Sequence, residues 1–363
     1  MAHAFGICAP ADYHRRMILR RFLLLLSCLS LAGCQGLAYY GQAARGQFAL
    51  MAKRQDISAL LAAEHTDPVL RARLVSVQRI RAFADRELAL PVRGQYDRYV
   101  ALGRDYPVWS VMATPPLSLR AHRWCYPFVG CLAYRGYFRE AGAQKEAARR
   151  AAAGDDVYVS GIPAYSTLGW FSDPVLSSFL HWPEPELAEL IFHELAHQKL
   201  FVPGDTVFNE SFAVVVAEAG LARYEASHGL DLASWRTARA RRADFVTLVM
   251  TYRQQLQDRF KAAANDDERR AARNEVYAAL RAAHAEQKRA WGGYSGYDAW
   301  FAELNNARLN AVGSYYELVP ALRRLLAQGA DDLPTFYRAC RELARLSYRE
   351  RRARLDALLV TES

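Results

Sequence analysis

Several common catalytic and binding signatures are absent from this 363-residue sequence. There is no G-x-S-x-G motif, no P-loop and no dinucleotide-binding glycine fingerprint, so the serine-hydrolase, nucleotide-hydrolase and Rossmann classes have no support. No run of lysine and arginine is interleaved with aromatic residues, so we expect no nucleic-acid partner. No internal repeat occurs, and no linker is long enough to mark a second domain.

Long hydrophobic runs are also absent. The most apolar run, residues 22–32, is too short to span a bilayer and follows a basic flank, which is typical of a signal peptide over residues 1–33. The run ends in LAGC (residues 31–34), which resembles the bacterial lipobox. The resemblance implies that Cys34 is lipidated and becomes the first residue of the mature protein, and Gln35 after it favours the outer membrane. We therefore expect a bacterial cell-envelope protein, anchored to the membrane by lipid and facing the periplasm.

Cysteine is scarce, with six residues in the chain, two of them in the predicted leader. Cys125 and Cys131 lie close together in the sequence of a protein that we expect to be exported, so a local disulfide is predicted. A zinc site made by this pair is less favoured, because no second pair exists. Cys340 is expected to be a small buried hydrophobic residue.

Hydrophobic periodicity predicts an α+β fold that is predominantly helical, in one domain over residues 34–363 with helical N- and C-terminal parts. A strand, a helix and a strand follow one another between residues 131 and 161, which predicts a small sheet. The predicted strands are 106–117, 131–138 and 155–161. The predicted helices are 36–90 (broken near Pro68), 139–154, 182–201, 208–229, about 231–290, 298–327 and 333–359.

The sequence LIFHELAHQKLF (residues 190–201) contains the pattern His-Glu-x-x-His within one of these helices. Residues four apart share one face of a helix, so the imidazoles of His193 and His197 can reach one metal ion. Glu194 lies about 100° further around the helix, where it could act as general base on an attacking water. This arrangement is typical of zinc metallopeptidases.

A catalytic zinc site needs a third protein ligand. The metzincin pattern has a histidine six residues after the second histidine, but Pro203 occupies that position. The alternative is Glu210 in FNESFA, thirteen residues after His197, on a helix for which Asn209 is a possible N-cap. Glu210 could instead be a first-turn residue favoured by the helix dipole. Glu218 is a weaker candidate, as a ligand or as a group that orients a ligand histidine.

Several segments together resemble the bacterial "putative aminopeptidase" family, many of whose members are predicted lipoproteins. The similar segments are IFHELAHQ, FNESFA, WCYPFVGCLAYRGYF, AYSTLGWFSDPVLSSFL and LNNARL, and the resemblance spans about residues 37 to 325. It implies a zinc-dependent peptidase with one Zn²⁺ held by His193, His197 and Glu210, and with Glu194 as general base. It also implies a zincin-like fold of the gluzincin type, with a small sheet packed beside the HExxH helix, and a peptide as substrate.

The cleavage specificity stays open. HELAHQ and the Asn-Glu-x-Phe-Ala segment are similar to those of the large gluzincin aminopeptidases, but the upstream Gly-x-Met-Glu-Asn segment that grips a substrate amine there is missing. Endopeptidase action is therefore an alternative. So are a zinc amidase that acts on cell-wall peptides and a non-catalytic, lipid-anchored scaffold that binds a partner in a zincin-like cleft.

Two further roles have candidates. Zincins bind the substrate backbone along an edge strand beside the active helix. AYSTLGWF (residues 164–171), which precedes that helix, is the candidate for this edge strand, and a core strand is the alternative. Stabilisation of the oxyanion needs a tyrosine, histidine or arginine near the metal. Tyr165 and Tyr315 are the candidates for this catalytic role, although packing is the alternative explanation for any of the twenty tyrosines.

Overall fold

The computed structural model describes residues 36–360, except residues 37, 128, 166, 168–170 and 230–232. The predicted leader, residues 1–33, and the lipidation residue Cys34 lie outside the described residues, so both stay predictions. Within the described part of the chain, no helix combines the length and the apolar character needed to cross a bilayer. The chain divides into two units, Met1–Ala52 and Lys53–Ser363.

Helices dominate the described chain and the strands form three small sheets, which confirms the predicted α+β class. Residues 38–51 form α1, in the first unit. The other helices are α2 (Ile57–Ala62), α3 (Pro68–Arg86), α4 (Glu140–Ala152), α5 (Ser177–Leu180), α6 (Glu184–Lys199), α7 (Thr206–His228), α8 (Ala233–Ala262), α9 (Asp266–Ala290), α10 (Asp298–Ala302), α11 (Asn306–Tyr316), α12 (Val319–Gln328), α13 (Leu333–Arg345) and α14 (Tyr348–Val360). The strands are β1 (Gln55–Asp56), β2 (Arg98–Val100), β3 (Val108–Thr114), β4 (Trp124–Tyr126), β5 (Gly130–Leu132), β6 (Tyr134–Tyr137), β7 (Asp156–Ile162) and β8 (Val175–Leu176).

The sheet that matters for the site has the order β6-β3-β7 and is antiparallel. Side chains alternate between its two faces. On β3, Val111 and Ala113 are fully buried, and α4 packs against this strand. Ser110 and Met112 point the other way, into a cavity that the sheet shares with α6. The sheet therefore forms one wall of that cavity and faces the HExxH helix across it.

Helices α6 and α7 form a hairpin that makes up much of the core of the second unit. Two prolines suit the first turn of α6, and Gly229 ends α7 in the left-handed conformation with φ of 58°. The buried apolar side chains of α6 include Leu187, Ile191, Phe192 and Leu195, and those of α7 include Phe208, Phe212 and Val216.

The N-cap of α7 is Asp205 and not Asn209, so that prediction was wrong. The Asp205 carboxylate accepts a hydrogen bond from the backbone N–H of Phe208. Asn209 lies inside the first turns of the helix, where its side-chain amide accepts from the N–H of Val202 (2.8 Å) and donates to the carbonyl of Val202 (2.9 Å). Both residues are capable caps, and Asn209 instead closes the turn between the two helices.

A disulfide-bonded hairpin rests on this same turn. Cys125 and Cys131 face each other on β4 and β5 and are joined by a disulfide bond. Gly204 in the turn donates a hydrogen bond to the carbonyl of Val129 in the hairpin (3.0 Å). Gly130 has φ of 75°, and a Cβ there would lie 2.7 Å from the backbone nitrogen of Gly204. Only glycine allows the two backbones to approach this closely.

Candidate metal centre

The two histidines of the HExxH pattern lie in the middle of α6 and point the same way. The Nε2 atom of His193 lies 3.2 Å from the Nε2 atom of His197. Their side chains are 16% and 10% exposed, so both rings are largely removed from solvent. The helix places the rings together because the two residues are four apart in sequence.

Glu210 completes a triangle with the two imidazoles. Its Oε2 atom lies 3.2 Å from Nε2 of His193 and 3.5 Å from Nε2 of His197. The carboxylate reaches this position because the hairpin turn, closed by Asn209, brings the first turns of α7 alongside the histidines. Among the described residues, His193, His197 and Glu210 are the group of histidine, cysteine and acidic side chains whose ligand atoms lie close enough to share an ion.

The chemistry and spacing of these three groups fit a zinc ion. Neutral imidazole nitrogens and a carboxylate oxygen bind zinc at about 2.0–2.2 Å, and tetrahedral ligands at that distance lie about 3.3–3.6 Å apart. The observed separations of 3.2 to 3.5 Å are close to these values. Two neutral imidazoles would direct one lone pair each at this common point, which a shared cation would stabilise.

The electrostatics of the triangle favour a negative Glu210. Burial alone would raise the pKa of Glu210, but His197 and His193 facing it lower that pKa to about 2. Burial lowers the pKa of His197, yet the Glu210 carboxylate outweighs this effect and leaves the pKa above its ordinary value. The carboxylate therefore carries the charge that a cation site needs.

Glu194 lies beside the triangle without being part of it. It lines the same cavity, and 7% of its surface is exposed. Burial raises the pKa of Glu194, and the neighbouring histidines only partly offset this. A carboxylate that is close to the ligand group and faces a cavity is in a position to exchange a proton with a reacting molecule there.

The structure places Tyr315 next to this group. The ring centroids of Tyr315 and His193 lie 6.0 Å apart. The backbone carbonyl of Tyr315 accepts a hydrogen bond from Ser211 on α7 (3.0 Å), which connects α11 to the helix of Glu210. The nearby Glu210 carboxylate raises the pKa of the Tyr315 hydroxyl well above its usual value, so the hydroxyl stays protonated and can donate.

The other candidates occupy different positions. Tyr165 lines the cavity and packs edge-on against Phe138, with ring centroids 5.9 Å apart. Glu218 is not in the triangle, because it is paired with Arg323 at 2.7 Å. Of the edge strand predicted over residues 164–171, residues 166 and 168–170 lie outside the described residues, and the other four are not in a strand.

A cavity of about 480 Å³ contains the whole constellation. Most of its wall is apolar or aromatic, with the β6-β3-β7 sheet on one side and α8, α10 and α11 on another. Sequence reasoning missed the contribution of α8, which supplies Arg242, Phe245 and Val246. Their spacing of three and four residues indicates a common helix face. The many charged residues of α8 made this apolar face difficult to recognise from the sequence.

No curated protein and no solved structure matches the chain in comparisons with known proteins. A family model does match, over residues 38–355, and its description is "Putative aminopeptidase". That match covers most of the chain and includes every residue of the candidate metal centre. The chain therefore belongs to the "Putative aminopeptidase" family.

Proposed function

We propose that this protein is a zinc-dependent metallopeptidase with a zincin-like site of the gluzincin type. The observation that carries the proposal is the convergence of His193, His197 and Glu210 within 3.5 Å of one another in a cavity that also contains Glu194. Membership of the "Putative aminopeptidase" family supports a peptide as the substrate.

The residues of the chain would divide the work as follows. A zinc ion held by His193, His197 and Glu210 would supply a Lewis acid for the scissile carbonyl and for the attacking water. Glu194 takes a proton from the attacking water and returns it to the leaving amine. The hydroxyl of Tyr315 donates a hydrogen bond to the carbonyl oxygen as negative charge develops on it.

Zinc is favoured over other metals by the donor set. Two imidazole nitrogens and one carboxylate oxygen form a common ligand set of catalytic zinc sites, whereas magnesium and calcium prefer sites made of oxygen alone. Three protein ligands leave a coordination position for substrate or water.

Metal content tests the proposal most directly. We expect about one zinc per chain in the purified protein, and a Glu210→Gln variant whose zinc affinity is at least tenfold weaker. Glu218→Gln is the matched control, because it removes a carboxylate two turns further along α7 that pairs with Arg323 instead. A folded wild-type protein that takes up no zinc when zinc is supplied would refute the metallopeptidase function.

We also propose that the protein is a lipoprotein of the bacterial outer membrane that faces the periplasm. The supporting observation is the lipobox-like LAGC sequence, followed by Gln35. Wild-type protein should partition with membranes, and a Cys34→Ser variant should lose the lipid and move to the soluble fraction after leader removal. A wild-type chain without a lipid-sized mass increase on Cys34 would rule this anchor out.

A further inference from the structure

Arg242 forms part of the wall of the central cavity and pairs with a residue of α6 one helical turn before His193. It shares one face of α8 with Phe245 and Val246, and all three residues line the cavity. The side chain of Arg242 is 55% exposed, so a ligand in solution can reach it.

The distance from Arg242 to the metal centre is set by α6. The Nη1 atom of Arg242 lies 3.6 Å from Oε2 of Glu189. Glu189 precedes His193 by four residues, so it shares the face of the ligands and lies about 6 Å before His193 along the helix. Two extended peptide residues span about 7 Å. A peptide whose scissile carbonyl lies at the metal centre would bring a group one or two residues further along to Arg242.

The present partners of Arg242 leave it able to bind a ligand. The 3.6 Å separation from Glu189 is longer than a hydrogen bond, and an exposed pair of this kind is weak. Tyr316 and Glu186 are further neighbours of the same guanidinium. A guanidinium has five N–H donors in a planar fork, so donors remain for a ligand beside these neighbours.

The charges of the cavity match an anionic ligand group. Among the described residues that line it, Glu194 and Glu210 are the acidic side chains, and both belong to the metal centre. Arg242 is the one lysine or arginine in that described lining. A carboxylate pairs well with a guanidinium through two parallel hydrogen bonds. A substrate ammonium group has no comparable partner outside the metal centre in this lining.

The surface next to Arg242 suits an apolar side chain. Phe245 packs edge-on against Trp300, with ring centroids 5.0 Å apart, and Val246 and Val312 line the cavity beside them. Burial of an apolar side chain on such a wall is favourable because it removes apolar surface from water.

We propose that Arg242 binds the C-terminal carboxylate of a short peptide whose last, apolar side chain packs on Phe245 and Trp300. The substrate class is then dipeptides and tripeptides with a free carboxylate and a large apolar C-terminal residue. This inference rests on the proposed peptidase function, because it takes the metal centre as the position of the scissile bond.

Peptide binding without turnover tests the assignment. The probes are Ala-Phe with a free carboxylate and Ala-Phe amide, bound to zinc-loaded Glu194→Gln protein and measured by calorimetry. We expect the free acid to bind at least tenfold more tightly than the amide. Arg242→Met in the Glu194→Gln background should remove this preference for the free acid. Arg242→Lys keeps the positive charge but lacks the planar guanidinium donors, so it should retain part of the preference.

The matched control is Arg241→Met. Arg241 is the preceding residue, lies over the ring of Tyr294 at 4.5 Å and is absent from the described cavity lining, so its loss should leave the acid preference unchanged. Equal binding of acid and amide, or a preference that survives Arg242→Met, would overturn the assignment. Tighter binding of an Ala-Asp amide than of Ala-Phe would likewise overturn the choice of the C-terminal carboxylate over an acidic side chain.

A peptide-cleavage assay tests the proposed peptidase function independently of the binding measurement. In that case wild-type protein with bound zinc would leave all these peptides uncleaved, while the calorimetric comparison would still report on Arg242. In a protein that does cleave them, Arg242→Met should raise KM for the free acid about tenfold and change kcat little.

Discussion

The Nε–H of Arg351 in the last helix donates a hydrogen bond of 2.9 Å to the Asp205 carboxylate, and Nη2 of Arg351 lies 2.8 Å from the same oxygen; Asp205 is the N-cap of the helix that carries Glu210. Both side chains are under 5% exposed, so the pair is buried. The guanidinium also donates to the backbone carbonyl of Leu346 (3.0 Å). This pair connects α14 to the start of α7, five residues before the third candidate metal ligand.

Arg351→Met should therefore lower the free energy of unfolding by about 3–5 kcal/mol, because it leaves the Asp205 carboxylate buried without its charge partner. Urea denaturation measures this change. Arg352→Met is the control: Arg352 pairs with Glu317 nearer the surface, and its loss should cost no more than about 1 kcal/mol. The double variant Arg351→Met, Asp205→Asn keeps a capable cap without the charge, so it should be more stable than Arg351→Met alone. Equal stability of the single and the double variant would contradict the view that the unpaired Asp205 charge causes the loss.

Glu194→Gln should reduce kcat by about 10²- to 10⁴-fold while zinc content stays near that of the wild type. The amide keeps the size of the side chain but cannot accept the proton of the attacking water. Steady-state hydrolysis of a small peptide panel, beside metal analysis, provides the measurement. Glu186→Gln changes an acidic residue two turns earlier on α6 and should leave kcat within about twofold. Wild-type-like cleavage by Glu194→Gln would exclude Glu194 as the base.

Tyr315→Phe should lower kcat by about 10²-fold with little change in KM, because the hydroxyl acts on charge that develops only in the transition state. Tyr165→Phe serves as the comparison, since Tyr165 lines the same cavity but packs against Phe138. The kcat of Tyr165→Phe should stay within a few-fold of the wild-type value. If Tyr165→Phe loses kcat and Tyr315→Phe does not, the two roles must be exchanged.

Glu184→Gln should make the stability of the protein less dependent on pH. Glu184 begins α6 and accepts hydrogen bonds from Arg79 (2.6 Å), Tyr224 (2.6 Å) and Ser76 (3.1 Å). Burial would raise its pKa, but Arg79 and the hydroxyl groups hold that pKa below the ordinary value of 4.5. The stabilisation is present above the unfolded-state pKa and is lost as pH falls through the folded-state pKa.

At neutral pH the substitution should cost about 1–2 kcal/mol. Urea denaturation of both proteins from pH 7 to pH 3 should show the two stabilities converging below pH 4.5. Glu140→Gln, at an exposed first-turn position of α4, is the control. Its free energy of unfolding should equal that of the wild type at neutral pH and should follow the wild-type value as the pH falls. If the free energies of unfolding of Glu184→Gln and wild type differ by a constant amount down to pH 3, Glu184 is not the source of this pH dependence.

The helices of the site were predictable because their signals are local. The helix predicted over residues 182–201 is observed at Glu184–Lys199, since prolines begin it and a Pro-Gly pair follows it. The common face of His193 and His197 follows from their spacing alone. The cap of α7 was not predictable in this way, because Asp205 and Asn209 are both good caps and only the closed turn selects between them.

The sequence by itself determined the composition of the candidate metal centre. His193, Glu194 and His197 have fixed mutual positions on any helix, and the Asn-Glu pair after a turn made Glu210 the leading candidate for a third ligand. Only the tertiary structure decided what surrounds this centre. Tyr315 and Arg242 come from helices far along the chain, and Glu218, the rival to Glu210, is paired with Arg323. Contacts between distant helices depend on how whole helices pack, and local periodicity carries no information about which of twenty tyrosines faces the site.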